Sequence, residues 1–587
     1  MTSHLLPWLI AGPVLATLVV PALGAIYPTG RSSLYTLAHV GTLVLVALAL
    51  AAGPTSSVVE VRSGPLGIQL GLTLDRATGG ALILTALLLL AVSWFSQTYV
   101  RGARHGTVFL SLLLLEQAAV NLTLLAGDLL ALYAGLLALS FALMLMIGVD
   151  FGSAGGAAAL RVFATLEVPA ALAFVGFWMI DARAGTLSLS DLPHDANWLS
   201  APTSWALLLP IVVALVSRAG LTPLQNWVVA GCRAAAAPAA AAIAGVALPV
   251  GALVLSRLAG VAIPLDSSWL HGLLLLAGAT AIVGGIGALR ERTALGWLGY
   301  LAIGQVGLAS LGFLVDTPVG PLAGWIALAS SAVAITLVAM AIGLAIRTAR
   351  HDRIDAPVHL PRNSVAWWSF LVGLASLAPL PPFTTFSARR LLLASLLNDG
   401  SAWSMLAAMA VVAGTILLTT AIGRVFLELV HDRWSDQTPS TIDGTPHRRE
   451  RVAGAWPPGG ARPKRSIPDG RAALAILAAV LVAFALIPLT WLTSPLGVTP
   501  PLPTPGASLP STVLLLFAIV VAPCLGYLAL GRSQPEHSSY LLARIGRRVR
   551  LDVALDPYVL IGGALLALGR LSAATLDQTL GRLARAR

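Results

Sequence analysis

The sequence predicts an all-α polytopic membrane protein, and two observations carry that prediction. Of 587 residues, 57% are hydrophobic and only 10% are charged, more apolar surface than a soluble fold of this size can cover. The apolar residues also form continuous runs of about twenty, the length at which a helix crosses the hydrocarbon core with its backbone groups bonded internally.

Those runs place about fifteen transmembrane helices. In order they lie near 5–25, 34–52, 81–99, 107–127, 129–149, 161–180, 204–220, 235–257, 269–289, 293–314, 321–346, 364–384, 404–427, 472–493 and 510–530. The first run has no basic stretch ahead of it and reads as a span, not a cleaved signal. Two segments, 204–230 and 364–398, carry a proline break with an arginine close by. Broken helices at corresponding places in two groups of about five spans predict an inverted repeat with the ion path at the breaks; simple kinks in packed helices are the alternative. The domains expected are N-terminal spans (1–106), repeat 1 (107–257), repeat 2 (269–427), a flexible cytoplasmic loop (428–470), C-terminal spans (471–530) and a cytoplasmic or interfacial tail (531–587). The loop is rich in Pro, Gly, Arg and Ser, and 494–509 forms a Pro-rich connector. The stretch 551–585 spaces Leu and Ala at helical intervals between charges, as an amphipathic helix does at a membrane face or against a partner.

Charge sets orientation. The net charge of +11 does not point to nucleic acid, because the arginines gather in alternate loops: Arg101 and Arg104, Arg290 and Arg292, Arg347, Arg350, Arg353 and Arg362, then 428–470 and the tail. The opposite loops are neutral or acidic, as from Asp181 to Asp195. An N-terminus outside and a C-terminus in the cytoplasm follow, and the membrane expected is a bacterial-type inner membrane. The two cysteines, Cys232 and Cys524, are far apart and suggest no disulfide framework or metal site.

The candidate functional residues are charges where charge is expensive. The only lysine, Lys464, lies in the hydrophilic loop, so the cations within the spans are arginines. Arg218 stands beside Pro223 in SRAGLTPLQNW, and Arg389 follows Pro381-Pro382 in LPPFTTFSARRLLL. Arginine does not release its proton at reachable pH. It can fix a carboxylate, hold water, bias a neighbour's pKa or attract an oxyanion such as bicarbonate. Glu116 and Glu167 are carboxylates within spans, and Asp128 lies at the turn between the fourth and fifth. Beside Arg161 or Arg218, either glutamate is suited to relay protons; a permanent ion pair that holds two helices together is the alternative. Gln305, Thr336, Ser330 and Ser331 suit either channel water or interhelical bonds, and His39 reads as packed or helix-bonded. Trp367 and Trp368 suit an interfacial belt. No phosphate loop, paired-cysteine motif or haem ligand pair emerges.

Several of these segments together resemble the antiporter-like membrane subunits of respiratory complex I. RAGLTPLQNWVVAG is similar to that family's central broken helix, with Arg218 on the family lysine, Pro223 and Leu224 on its P-L, Trp227 on its tryptophan, and Arg257 on the arginine that closes the next span. GYLAIGQVG keeps Tyr300, Gln305 and Gly307 of a second motif. LAPLPPFTTFSARRLLL looks like the family's G-I-P-P-x-x-G-F-x-S-K-x-x-L, with Arg389 on the lysine, and GTLSLSDL suits the loop after the sixth span. The tail LDVALDPYVLIGGALLALGRLSAATLDQTL is similar to the largest, L-type or chain-5 type, subunit. The matches run in order along most of the chain. The same superfamily includes sodium/proton antiporter large subunits, energy-converting hydrogenase membrane subunits and the membrane partner of a two-part inorganic-carbon transporter. The departures matter too: the family's fifth-span glutamate falls on Leu137, its eighth-span histidine on Ala244, its tenth-span D-x-K on Thr293 and Leu295, and its eleventh-span histidine and lysine near Ala329 and Val333.

The resemblance implies a subunit of a complex I-like NADH-quinone oxidoreductase that supplies a proton path. Partners would be other membrane and peripheral subunits, protons and lipid, with no nucleic acid. NADH, quinone, FMN and iron–sulfur clusters would sit in partner subunits, with no cofactor or metal on this chain. Proton is favoured over sodium because no cluster of oxygen ligands stands out. The alternatives are the proton-coupling membrane subunit of an inorganic-carbon (CO2/bicarbonate) transporter and a non-conducting membrane scaffold.

Overall fold

The computed structural model describes residues 4–27, 31–53, 55–63, 68–101, 103, 105–149, 153–192, 204–262, 268–349, 364–431, 469–486 and 510–519. The expected loop core, the Pro-rich connector, Lys464, Cys524 and the amphipathic tail lie outside the described residues. The chain is an all-α polytopic membrane protein. Eleven described helices are long and apolar enough to cross a membrane, and four shorter apolar helices, the last of them Pro510–Ile519, accompany them.

The helices follow the apolar runs. In order they are α1 (Leu5–Ile26), α2 (Arg31–Ala51), α3 (Arg76–Tyr99), α4 (Gly106–Leu125), α5 (Leu129–Gly148), α6 (Ser153–Ala184), α7 (Ser204–Arg218), α8 (Asn226–Ala234), α9 (Ala237–Ala242) and α10 (Leu248–Ala262). Then come α11 (Ser268–Arg290), α12 (Ala294–Leu314), α13 (Gly320–Ala349), α14 (Val365–Leu377), α15 (Thr384–Asp399), α16 (Ala402–His431) and α17 (Asp469–Leu486). Starts are set by side-chain caps where the sequence offers them. Asp75 accepts the Thr78 amide at 2.6 Å and Ser364 accepts that of Trp367 at 3.2 Å.

One element departs from the all-helical expectation. Strands β1 (Thr55–Ser63) and β2 (Ile68–Leu74) form an antiparallel hairpin between α2 and α3, pairing Thr55 with Leu74 and Val59 with Leu70. Its free edge is covered by the turn between α4 and α5. Gly127 donates to the Gly71 carbonyl at 2.7 Å, and Leu189 donates to that of Gly127 at 2.9 Å. Asp128 binds this layer to the bundle. It caps α5 by accepting the Ala131 amide at 2.6 Å and also accepts the Gly71 amide.

α12 and α13 form the buried centre. Without a hydrophobic drive between helices in lipid, close packing depends on small residues, and glycines supply it. A Cβ on Gly284 of α11 would lie 2.5 Å from the Gly304 amide of α12, and one on Gly312 would lie 2.7 Å from Gly324 of α13.

Both proline segments break their helices. α7 ends at Arg218, the chain turns through Gly220 at φ +60°, and α8 starts after the cis Thr222–Pro223 bond. α14 ends at Leu377, and α15 starts after the cis Pro381–Pro382 bond. A break in a membrane leaves backbone groups that must find other partners. The Trp227 indole donates to the Ser217 carbonyl at 2.8 Å, and the Thr222 amide donates to the Thr280 hydroxyl at 2.8 Å. In the second break, the Gln305 amide donates to the Leu377 carbonyl at 3.0 Å. A third irregularity, a π-helical turn at Ile243–Ala247, joins α9 to α10 beside the first break. Nothing in the apolar sequence signals it.

Candidate functional site

The first break assembles a buried charge pair. Arg218 closes α7, where the negative end of the helix dipole favours a cation. Its guanidinium donates to Glu167 Oε1 on α6 and to the Ser140 hydroxyl on α5, and only 4% of the arginine is exposed. Ser140 in turn donates to the Leu136 carbonyl at 3.1 Å. Among the described residues Glu167 Oε2 and Arg218 Nε have no hydrogen-bond partner, so the carboxylate retains an oxygen for a proton or a water and the guanidinium an N–H for a water. Beside it lies a cavity of about 10 Å³ walled by Leu136, Leu139, Leu143, Leu166, Trp227 and Gly251, which is at the limit for one water molecule. Gly251 is required there, since a Cβ would stand 2.0 Å from the Arg218 carbonyl.

The second break places its cation on the other side of the interruption. Arg389 lies in the second turn of α15, is 2% exposed, and donates to Gln305 Oε1 at 2.6 Å and to the Thr415 hydroxyl at 3.2 Å. Both partners are neutral. Among the described residues no salt bridge to a carboxylate is made by Arg389, whereas Arg218 has one. Between the two breaks stands Thr280, which accepts the Thr222 amide and packs where a Cβ on Gly307 would come within 3.1 Å of it. Gly307 is two residues beyond Gln305, so Thr280 links the first interruption to the helix that serves the second.

The other nominated residues distribute as follows. Asp128 is a helix cap and hairpin clamp, with both oxygens engaged. Arg161 stands exposed on α6, and the cation that reaches Glu167 is Arg218. Glu116 is fully buried on α4, and among the described residues both its oxygens lack a hydrogen-bond partner. Ser330, Ser331 and Thr336 bond back to carbonyls of their own helix. Arg257 donates to the Leu124 carbonyl at 3.1 Å and the Thr73 hydroxyl at 2.9 Å, tying α10 to the end of α4 and the hairpin. Leu137 is 38% exposed on the outer face of α5, while Ser140, one turn on, meets Arg218. Ser140 was legible only as a lone hydroxyl in an apolar span.

A third polar cluster joins α8, the α11–α12 turn and α16. Arg233, in the last turn of α8, pairs with Glu291 in the turn between α11 and α12 and lies over the Tyr300 ring at 5.9 Å. Glu291 also accepts the Thr293 hydroxyl at 2.7 Å, and Arg424 of α16 donates to the Glu291 carbonyl at 2.6 Å. Burial pushes the Glu291 carboxyl up, but the Arg233 guanidinium and the Thr293 hydroxyl and amide outweigh it and hold the group below its ordinary value.

Comparison with known proteins fits this arrangement. Residues 126–417, from the α4–α5 turn to the Thr415 helix, match the family described as NADH:quinone oxidoreductase/Mrp antiporter, TM. NADH-quinone oxidoreductase subunit N 1 of Streptomyces griseus is 28% identical over 372 residues, covering 62% of this chain and 77% of that protein. A probable K(+)/H(+) antiporter subunit of Rhizobium meliloti is 32% identical over 305 residues, covering 48% of this chain and 54% of that protein. The solved Mrp complex from Dietzia sp. DQ12-45-1b contains a chain of the same fold, with a TM-score of 0.67 at 20% identity over 89% of this chain and 98% of that one. With its two interrupted helices, each serving a buried arginine, this chain belongs to the superfamily of antiporter-like membrane subunits shared by NADH-quinone oxidoreductases and Mrp antiporters.

Proposed function

We propose that this chain carries protons for a hetero-oligomeric complex in a bacterial-type cell membrane, in which partner subunits perform redox chemistry with NADH and a quinone. The single observation behind this reading is the Glu167–Arg218 pair at the interrupted helix, with one unpartnered polar atom on each side. Arginine keeps its charge, so the moving proton belongs to Glu167 and to water, and Arg218 acts as a fixed countercharge. The names of the relatives support membership in an assembly. Oxidoreductase subunits and antiporter subunits both occur among them. The L-type likeness rests on the tail beyond the described residues, and the subtype follows from whichever redox partners co-purify. The loop arginines support an N-terminus outside and a C-terminus in the cytoplasm, and the paired breaks support the two inverted repeats at 107–257 and 269–427.

The test is proton uptake into proteoliposomes containing the purified complex. Glu167→Gln removes the exchangeable proton and keeps the shape, and is expected to slow uptake at least about tenfold. Uptake equal to the parent's would leave the pair a strut between helices and the chain a scaffold.

One observation favours a second reading. Among the described residues the partners of buried Arg389 are an amide and a hydroxyl and include no carboxylate, and such a guanidinium suits a small planar oxyanion such as bicarbonate. In that reading the chain is the proton-coupling membrane subunit of an inorganic-carbon system, and a zinc-site partner that hydrates CO2 would co-purify in place of redox subunits.

A further inference from the structure

The helices that precede the family match carry a polar seam of their own. At one end, the Tyr35 hydroxyl on α2 lies 3.1 Å from both the Thr107 carbonyl and the Ser111 hydroxyl on α4. One turn along α2 from Tyr35, His39 is fully buried with its ring against the Gln117 side chain. Gln117 donates to Asn121 at 2.9 Å, and Asn121 donates at 2.7 Å to the Leu9 carbonyl of α1, one turn from the start of that helix. From Thr107 to Asn121 the seam follows α4 for roughly 21 Å at 1.5 Å per residue, most of a hydrocarbon core of about 30 Å.

The seam is incompletely bonded at its middle. The His39 ring bonds to the Gln117 side chain, which leaves at least one buried imidazole nitrogen without a partner among the described residues, and both oxygens of Glu116, the residue before Gln117, are likewise without one. Orphaned atoms of this kind are rare in folded proteins, and water is their usual partner. Few other groups titrate nearby. α1 carries no ionisable side chain, and α3 carries only Arg76 and Tyr99, at its two ends. α2 adds Arg31, its first residue, and Tyr35, and α4 adds Glu116.

We propose that His39, Gln117 and Asn121 line a second, water-containing proton route through α1, α2 and α4, separate from the Arg218 and Arg389 sites. His39 accepts a proton at one ring nitrogen and releases the proton of the other, so the ring returns to neutral and a ring flip restores its tautomer. Gln117, Asn121 and Tyr35 hold the water that passes the proton on. The proposal extends the proton-carrying reading, and its test separates the two.

Two measurements on the full chain in its complex decide it. With Cys232 and Cys524 changed to Ala, single cysteines are introduced by His39→Cys, Gln117→Cys and, as a dry control on the same helix, Leu113→Cys, a fully buried position. A small charged methanethiosulfonate reacts with thiolate, which forms only in contact with water. Positions 39 and 117 are expected to label at least about tenfold faster than 113, and equal rates overturn the seam. In proteoliposomes, His39→Leu alone is expected to lower proton uptake by no more than the share, about one tenth or less, that Glu167→Gln leaves. His39→Leu combined with Glu167→Gln is expected to abolish the uptake that Glu167→Gln leaves. If Glu167→Gln alone abolishes uptake and His39→Leu changes nothing, the second route is overturned and the first stands. If no variant changes uptake, both readings fail.

Discussion

Arginine at 218 and 389 decides what the neighbouring residues must do. A fixed guanidinium cannot alternate between charged and neutral forms, so any alternation falls to Glu167. The pair is also structural, because removing one buried partner strands the other. Arg218→Ala is expected to destabilise the protein by about 3–5 kcal/mol, read as a lower unfolding midpoint in detergent. Adding Glu167→Gln should recover most of that loss; if it does not, Arg218 acts through packing and not through its charge. Arg218 and Glu167 were legible in the sequence because a charge in an apolar run is costly and therefore conspicuous. Ser140 was not, because a hydroxyl in a membrane helix is equally at home bonded to its own backbone, as Ser96 is to Val92 at 2.5 Å. Arg161 was legible as a charge but not as an exposed one. α6 is apolar nearly all round, and such a helix has no polar face from which to read direction.

At the scale of the elements, the breaks and the glycines carry the argument. Proline marked both interruptions in advance, since it has no amide to donate. The groups that satisfy the freed carbonyls, Trp227 and Gln305, come from a following half-helix in one case and from α12 in the other, and sequence does not say which helices touch. The hairpin was hidden differently. Its alternating residues lie between two long apolar runs, and so short a pattern is easily overridden by them. The glycine seam makes a direct prediction. Gly304→Leu puts a side chain where Leu418 of α16 already stands, 2.7 Å from a Cβ. Overpacking of this sort costs about 1–3 kcal/mol, so less of the variant should elute as assembled protein on size exclusion. Gly423→Ala, where a Cβ meets nothing within 4 Å, should elute as the parent does.

Across the described bundle, α8, the α11–α12 turn and α16 meet at the Arg233–Glu291–Arg424 cluster. Glu291 titrates below its ordinary value of 4.5. As pH falls, the unfolded chain therefore takes up its proton first. The stabilisation is complete above the ordinary glutamate range and is lost as pH drops through the lower folded value. The unfolding midpoint of the protein should accordingly fall on acidification below about pH 4.5, and Glu291→Gln should flatten that dependence. A Glu291→Gln profile that superimposes on the parent's would remove the cluster from the stability account. The overall class was legible at this scale from composition alone. The junction was not, because Arg233 and Glu291 are 58 positions apart and each resembles an ordinary loop charge.

α8 is only nine residues long, with the interruption at one end and the Glu291 anchor at the other. A rod fastened at its far tip can pivot but not slide. Strain arriving at the α11–α12 corner is therefore handed along a stiff arm toward the guanidinium that faces Glu167, and the fastening works as a fulcrum between that corner and the interrupted helix.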